Sequence, residues 1–244
     1  MITMENFKND FIKKIENNIE QFGHHITMVI DSVEPRFAYT IGVNKILGIE
    51  LVFAGGIFYM KEEVFQIINE IVEILRIQGL THTPQKTSLG IFNISSVHHS
   101  WKELMMLGLN KFYENNKFPV LQIIPTDGHY TLDVPDMLKE WNVSSQPVWQ
   151  WLSKDWDYAV PKDSKIITNL NALRGEAITE VTRWEVDEWE AFAGAGPDVG
   201  EEDIRIISLG TLLGIDKSLE AILRLDIGKG IWRDNEELIW NDWN

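Results

Sequence analysis

Apolar side chains recur every three or four residues at the start of the chain, which predicts an amphipathic helix over residues 4–22. From Gly23 to Gly55 the apolar spacing changes to two, the spacing of strands with one buried face. The strand predicted over residues 37–43 has large apolar side chains on one face and only Ala, Thr and Gly on the other. We expect the next strand to run from Glu50 to the Gly55-Gly56 pair, where the chain can turn.

Helical and strand-like patterns alternate over the following residues. A second apolar stripe predicts a helix over 60–78, and polar residues predict a loop over 81–88. The patterns then predict a strand over 89–94, a helix over 101–113 and a buried strand over 118–124. Mixed helices and strands of this kind predict an α+β fold, with a mixed sheet and helices packed against it.

A change in composition divides the chain. All six histidines lie before residue 130, whereas nine of the ten tryptophans lie after residue 140. We therefore predict two units: an N-terminal domain over 1–133 and a smaller α+β module over 165–244. The segment 134–164, rich in Trp and Pro and without a sustained period, is predicted to be a linker that packs by its aromatic side chains.

The C-terminal module is predicted from shorter signals. Strands are expected at 166–167, 177–183, 189–192 and 204–209, with a loop over 194–200, and the module closes with residues 228–233 and Trp240. Asp216 is the expected N-cap of a helix, because its carboxylate can accept from the first backbone N–H groups.

Several segments resemble known families. The order of GHH at 23–25, FAYTIG at 37–42 and ELVFAGG at 50–56, followed by Leu121-Gln122 and by Asp127-Gly128, resembles a bacterial domain of unknown function numbered 4262. That family has no established activity, so the resemblance implies none. The C-terminal segments, such as WEAFAG at 189–194, loosely resemble small bacterial immunity-like modules, which bind and neutralise toxins.

The charge of the chain narrows the classes of partner. The formal net charge is −15, and the residues after 145 contribute −10 of it. A surface of this sign disfavours nucleic acid and anionic membranes, whose phosphates require basic side chains. No apolar run approaches the roughly 20 residues that cross a bilayer, and no signal peptide is apparent at the start, so we expect a cytoplasmic protein. The absence of cysteine excludes disulfides.

Acidic residues flank two tryptophans in the C-terminal module. The proposed partner surface consists of Trp184, Glu185, Asp187, Glu188, Trp189, Glu201, Glu202 and Asp203. Aromatic anchors inside an acidic rim would suit a basic protein partner. The alternative interpretation is a solvated acidic loop over a tryptophan-filled core.

A second candidate site lies in the N-terminal domain. The side chains proposed to line a small-molecule pocket are His24, Tyr39, Thr40, Gln122 and Asp127, with Asp127 as a base. The alternative is that Tyr39 is a core residue, Thr40 fills a strand and Asp127 forms a turn. A flavin or similar cofactor is conceivable in this pocket, although no cofactor is predicted.

The paired histidines, His24-His25 and His98-His99, raise the question of a metal site with Asp127 as a further ligand. Adjacent residues on a strand point to opposite faces, so no metal site is predicted. The chain also lacks a phosphate-binding GKS or GKT loop and a GxSxG motif. We therefore favour binding over catalysis, with a protein-binding or immunity-like role first and a small-molecule or cofactor-binding protein, with or without catalysis, as the alternative.

Overall fold

The computed structural model describes residues 4–30, 32–81, 83–113 and 117–243, with the side chains of residues 4–9 and of Asp127 outside the described part. The described chain forms two six-stranded mixed sheets. Each sheet carries its own helices, so the predicted α+β fold in two units is confirmed. We call them the N-terminal unit and the C-terminal unit, while the boundaries proposed at 133 and 164 stay predictions.

The first sheet belongs to the N-terminal unit. Its strands are β1 (His25–Val29), β2 (Phe37–Ile41), β3 (Glu50–Ala54), β4 (Gln85–Thr87), β5 (Gly90–Ser96) and β6 (Val120–Pro125). They lie in the order β1-β2-β3-β6-β5-β4. Only the β3–β6 pair is parallel among the pairs of this sheet. The helices of this unit are α1 (Met4–Phe22), α2 (Asn44–Leu47), α3 (Lys61–Gln78), α4 (His99–Met105) and α5 (Leu107–Phe112).

Both faces of the first sheet are buried. The apolar stripe of α3 packs against one face, where it contacts Ala38, Leu51 and Phe53. The opposite face packs against Trp101, Trp149 and other apolar side chains of a second cluster. Burial on both faces explains why all five residues of β2 and all five of β3 are inaccessible to solvent.

The second sheet belongs to the C-terminal unit. Its strands are β7 (Lys165–Asn169), β8 (Glu180–Arg183), β9 (Glu188–Phe192), β10 (Ile204–Ser208), β11 (Lys229–Trp232) and β12 (Asn241–Asp242). They lie in the order β10-β7-β9-β8-β11-β12, with β7 and β9 parallel. The helices are α6 (Leu170–Leu173) and α7 (Leu209–Ile215), followed by a 3₁₀ helix over Lys217–Arg224. Asp216 caps that 3₁₀ helix by accepting from Ser218 N at 2.9 Å, as predicted.

Two local predictions were wrong. The helix expected over 101–113 is divided at Met106 into α4 and α5, because Gly108 comes against Tyr39 and donates its N–H to the Tyr39 hydroxyl at 3.1 Å. The loop expected over 81–88 contains β4, whose Gln85 and Thr87 are buried beside β5. The sequence analysis missed that strand because its side chains are polar.

The predicted linker connects the two hydrophobic cores. Trp149 packs in the core of the N-terminal unit, and Trp156 packs against the core of the C-terminal unit. Between them, Trp151 donates its Nε1–H to the carbonyl of Gly210 at 3.1 Å. The segment therefore packs by its aromatic side chains, and its role as a linker stays a prediction.

A turn over residues 56–59, which follows β3, is held by side chains from both units. Arg36 donates to the carbonyls of Gly56 and Tyr59, and the Asp133 carboxylate accepts from Ile57 N at 3.2 Å. From the C-terminal unit, Arg205 donates to the carbonyl of Ile57 at 3.0 Å and to that of Phe58 at 2.8 Å. We call these residues the 56–59 turn.

Gly108→Ala should destabilise the fold. A Cβ at this position would lie 2.4 Å from the Tyr39 hydroxyl oxygen, so one of two packed elements must move. We expect the free energy of unfolding in urea to fall by about 1–3 kcal/mol. Gly128→Ala is the matched control, because a Cβ there meets nothing within 4 Å. Equal urea midpoints for the two variants would contradict this account of the divided helix.

Candidate functional site

Two residues of the predicted small-molecule pocket share one face of the first sheet. Tyr39 pairs with Val52, and Val52 pairs with Gln122, so Tyr39 and Gln122 are about 9.5 Å apart across two strand spacings. The Gln122 amide donates to the carbonyl of Pro135 at 2.9 Å, and Tyr39 is bonded to Gly108 N. Both side chains are buried.

Thr40 points to the opposite face and has a different role. Its hydroxyl donates to a carboxylate oxygen of Glu50 at 2.5 Å, and the other oxygen accepts from Gly42 N at 2.8 Å and from the Tyr113 hydroxyl at 2.7 Å. Glu50 is fully buried. Burial raises the pKa of Glu50, and the surrounding donors oppose that rise. Thr40 therefore helps to hold a structural carboxylate that the sequence analysis missed, although a glutamate within an apolar strand was the available signal.

Three of the four paired histidines make hydrogen bonds within the N-terminal unit. His24 is bonded to Asn69 at 2.9 Å and His25 to Asn18 at 2.8 Å, and burial lowers the pKa of both imidazoles. His98 caps α4 by accepting from Ser100 N at 3.4 Å. Within the described part of the chain, no three His, Asp or Glu side chains lie together in a way that could hold a metal ion.

The five residues proposed for the pocket do not form one constellation. Tyr39 and Gln122 share a face, whereas Thr40 points to the other side of the sheet. His24 lies in a surface depression with Asn69. Asp127 begins a short 3₁₀ helix over Asp127–His129, and its side chain lies outside the described residues.

The tip of the β8–β9 hairpin presents apolar side chains to solvent. Trp184 and Val186 are each 52% exposed, and the neighbouring Ile227 is 54% exposed. Gly228 N donates to the carbonyl of Arg183 at 2.7 Å, which places the loop before β11 beside this hairpin. The exposed residues of the two loops, which we call the hairpin surface, are Trp184, Glu185, Val186, Asp187, Glu188, Asp226 and Ile227.

Arg183 fixes the shape of the hairpin surface from beneath. Its guanidinium donates to the carbonyls of Glu185 at 3.2 Å, Val186 at 3.0 Å and Leu225 at 2.8 Å. The same group lies 4.8 Å from the centre of the Trp189 ring. A guanidinium with several donors can hold two loops at once, so the apolar tip is preorganised.

The structure divides the predicted partner surface into three parts. Trp189 is only 1% exposed and belongs to the core of the C-terminal unit, because it lies on the inward face of β9. Trp184, Glu185, Asp187 and Glu188 remain together on the hairpin surface. Glu201, Glu202 and Asp203 form a separate 3₁₀ turn.

The two acidic clusters lie at opposite ends of β7. Its first residue, Lys165, is paired with Glu188, whereas its last residue, Asn169, is paired with Ile204, which follows Asp203. Five residues of strand place about 13 Å between these ends. The clusters therefore cannot form a single rim around the tryptophans.

The hairpin surface keeps an acidic balance. Its carboxylates come from Glu185, Asp187, Glu188 and Asp226. On the paired strands, the positive charges nearby are those of Arg183, Lys165 and Lys229. Four carboxylates thus outnumber three positive groups beside an apolar tip.

The N-terminal part is similar to a known family. Residues 18–132, slightly less than half of the chain, match the model of a family described as Domain of unknown function (DUF4262). This match confirms the predicted resemblance of the N-terminal part. No curated protein and no solved structure matches the chain. The resemblance of the C-terminal part to immunity-like modules stays a prediction.

Within the described residues, no helix combines the length and the apolar content that a bilayer crossing requires.

Glu50→Gln should change how stability depends on pH. Because burial raises the pKa of Glu50 above its ordinary value of 4.5, the folded protein holds this proton to higher pH than the unfolded chain does. The protonated Glu50 carboxyl therefore stabilises the folded state at low pH, and this stabilisation is lost as the pH rises above 4.5. We expect the wild type to lose stability relative to Glu50→Gln between pH 4.5 and neutrality, measured by urea unfolding.

Glu16→Gln, which removes an exposed carboxyl on α1, is the control and should follow the wild-type profile. If the difference in free energy of unfolding between the wild type and Glu50→Gln stays constant over this pH range, burial does not raise the pKa of Glu50.

Proposed function

We propose that the protein binds a basic protein partner through the hairpin surface, in a role of the immunity kind. The observation that carries this proposal is an exposed tryptophan, held on a rigid hairpin and surrounded by carboxylates. The net charge of −15 for the whole chain also favours a partner of positive charge.

The geometry suits association in two stages. Carboxylates around the tip attract a basic surface over a distance of about a Debye length and raise the association rate. Trp184 and Val186 then provide apolar area that contact with a partner would bury, and tryptophan is enriched among the residues that dominate binding energy. Because Arg183 already holds the hairpin, little conformational freedom remains to be lost on binding.

The alternative, a small-molecule or cofactor site in the N-terminal unit, has weaker support. The Oε1 atom of Gln122 is buried without a hydrogen-bond partner, which favours a polar ligand or water beside it. Tyr39 and the Gln122 amide nitrogen, however, are already bonded to backbone groups of the core. Protein binding therefore ranks first.

Charge reversal at the two ends of the C-terminal sheet tests the proposal. The Glu185→Lys/Glu188→Lys variant should lose a partner that the wild type captures at low ionic strength, because it replaces attraction by repulsion. Glu201→Lys/Glu202→Lys makes the same change in charge at the other end of β7 and is the matched control, expected to retain the partner. Calorimetry with the identified partner then gives the affinities.

Trp184→Ala should weaken the same interaction by about 10- to 100-fold, the range of a central interface residue. Trp232→Ala removes another exposed tryptophan, which is paired with Glu180 at the other end of β8, and should have no effect on affinity. Two results would each refute the proposal: no salt-sensitive partner for the wild type, or equal losses in both charge-reversed variants.

A further inference from the structure

A cleft of about 260 Å³ lies between the two units. The N-terminal unit contributes Arg36 and neighbouring residues of the chain to the lining of the cleft, and Asp133 also lines the cleft. The C-terminal unit contributes residues of β10, which is the edge strand of its sheet. The volume falls slightly below the range of drug-sized ligands, so an occupant would be a small metabolite.

Two charged side chains of this cleft have unsatisfied polar atoms. The Nε–H of Arg36 is buried without an acceptor, and Oδ1 of Asp133 is buried without a donor. Nη2 of Arg36 donates to carbonyls of the 56–59 turn, and Oδ2 of Asp133 accepts from Ile57 N. Buried polar groups in folded proteins nearly always have partners, so this pair of orphaned atoms requires an explanation.

Burial raises the pKa of Asp133, and the Thr131 hydroxyl and the Arg36 guanidinium oppose that rise. Nevertheless, no hydrogen bond or ion pair joins the described side chains of Arg36 and Asp133. Opposite charges that face one cleft without direct contact are commonly bridged by a third group. The bridging group must accept from a guanidinium and donate to a carboxylate.

The remaining charges of the cleft suit a molecule that carries both signs. Lys61 adds an ammonium group and Glu34 adds a carboxylate. With Arg36 and Asp133, these side chains provide two groups of each sign, so a carboxylate and an ammonium group of one ligand can both be paired.

We infer that the cleft binds a small zwitterion of the α-amino acid class. The carboxylate of the ligand accepts from Arg36, supported by Lys61, and its ammonium group donates to Asp133. A carboxylate held by a guanidinium and an ammonium held by a buried carboxylate are both charge-assisted hydrogen bonds. Exposed Ile206 and Ile30, at the mouth of the cleft, would contact an apolar side chain.

Calorimetry and thermal unfolding of the full chain with each standard amino acid test this inference. At least one of them should bind with one-to-one stoichiometry and raise the melting temperature. The corresponding deaminated carboxylic acid and decarboxylated amine are the matched probes. Each should bind at least about tenfold more weakly, because each satisfies only one of the two orphaned atoms.

Variants locate the binding to the cleft. Asp133→Asn retains an oxygen for Ile57 N but removes the charge, and should reduce affinity at least about tenfold. Asp157→Asn, which neutralises an exposed aspartate elsewhere, should bind as the wild type does. If Asp133→Asn does not fold, Lys61→Met at the exposed edge of the cleft takes its place, with reduced affinity again expected.

The result is independent of the hairpin surface. Trp184→Ala, which changes no charge and does not line the cleft, should bind the amino acid with unchanged affinity, so failure of either proposal leaves the other intact. Absence of binding for every amino acid, with a crystal structure that shows only ordered water between Arg36 and Asp133, would overturn the inference. Equally tight binding of the carboxylic acid alone would overturn it as well.

Discussion

Hydrogen bonds to the 56–59 turn hold the two halves of the molecule in one arrangement. Arg36 and Asp133 bind this backbone from the N-terminal unit, and Arg205 binds it from the C-terminal unit. The approach is so close that a Cβ on Gly55 would lie 2.1 Å from the carbonyl oxygen of Asp133. Since Trp149 also donates to that carbonyl, the linker, the turn and both sheets depend on the same few backbone groups. The shape of the cleft between the units follows from this contact.

Much of the fold could be predicted because period and turn chemistry are local properties. The spacing of two identified β2, and an apolar run before Gly55-Gly56 identified β3 and its end. The division between α4 and α5 could not be predicted in this way. It depends on Gly108 meeting Tyr39, a contact between residues far apart in the chain that exists only when the sheet has formed.

The candidate sites were predictable only in part, for related reasons. The alternation of side chains in β9 was sufficient to predict that Trp189 and Ala191 are buried and that Glu188 is exposed. The density of acidic residues around Trp189 suggested an exposed anchor instead. The two acidic clusters are separate because of the register of β7 with its neighbours, and the spacing of residues in the sequence does not reveal that register. The cleft brings Arg36 and Asp133 to β10, and only the packing of two units could show that.

The position of β10 has a consequence for how the two halves can exist. β10 is the outer strand of its sheet, so one of its edges has no strand partner among the described residues, and the strand carries the exposed Ile206. Unpaired strand edges recruit other chains and start aggregation. Here the Ser208 hydroxyl donates to the carbonyl of Val33 at 2.7 Å, and Arg205 binds the 56–59 turn, so the N-terminal unit stands over this edge. The N-terminal unit therefore covers this edge of the second sheet, and a C-terminal unit separated from it would leave the edge uncovered.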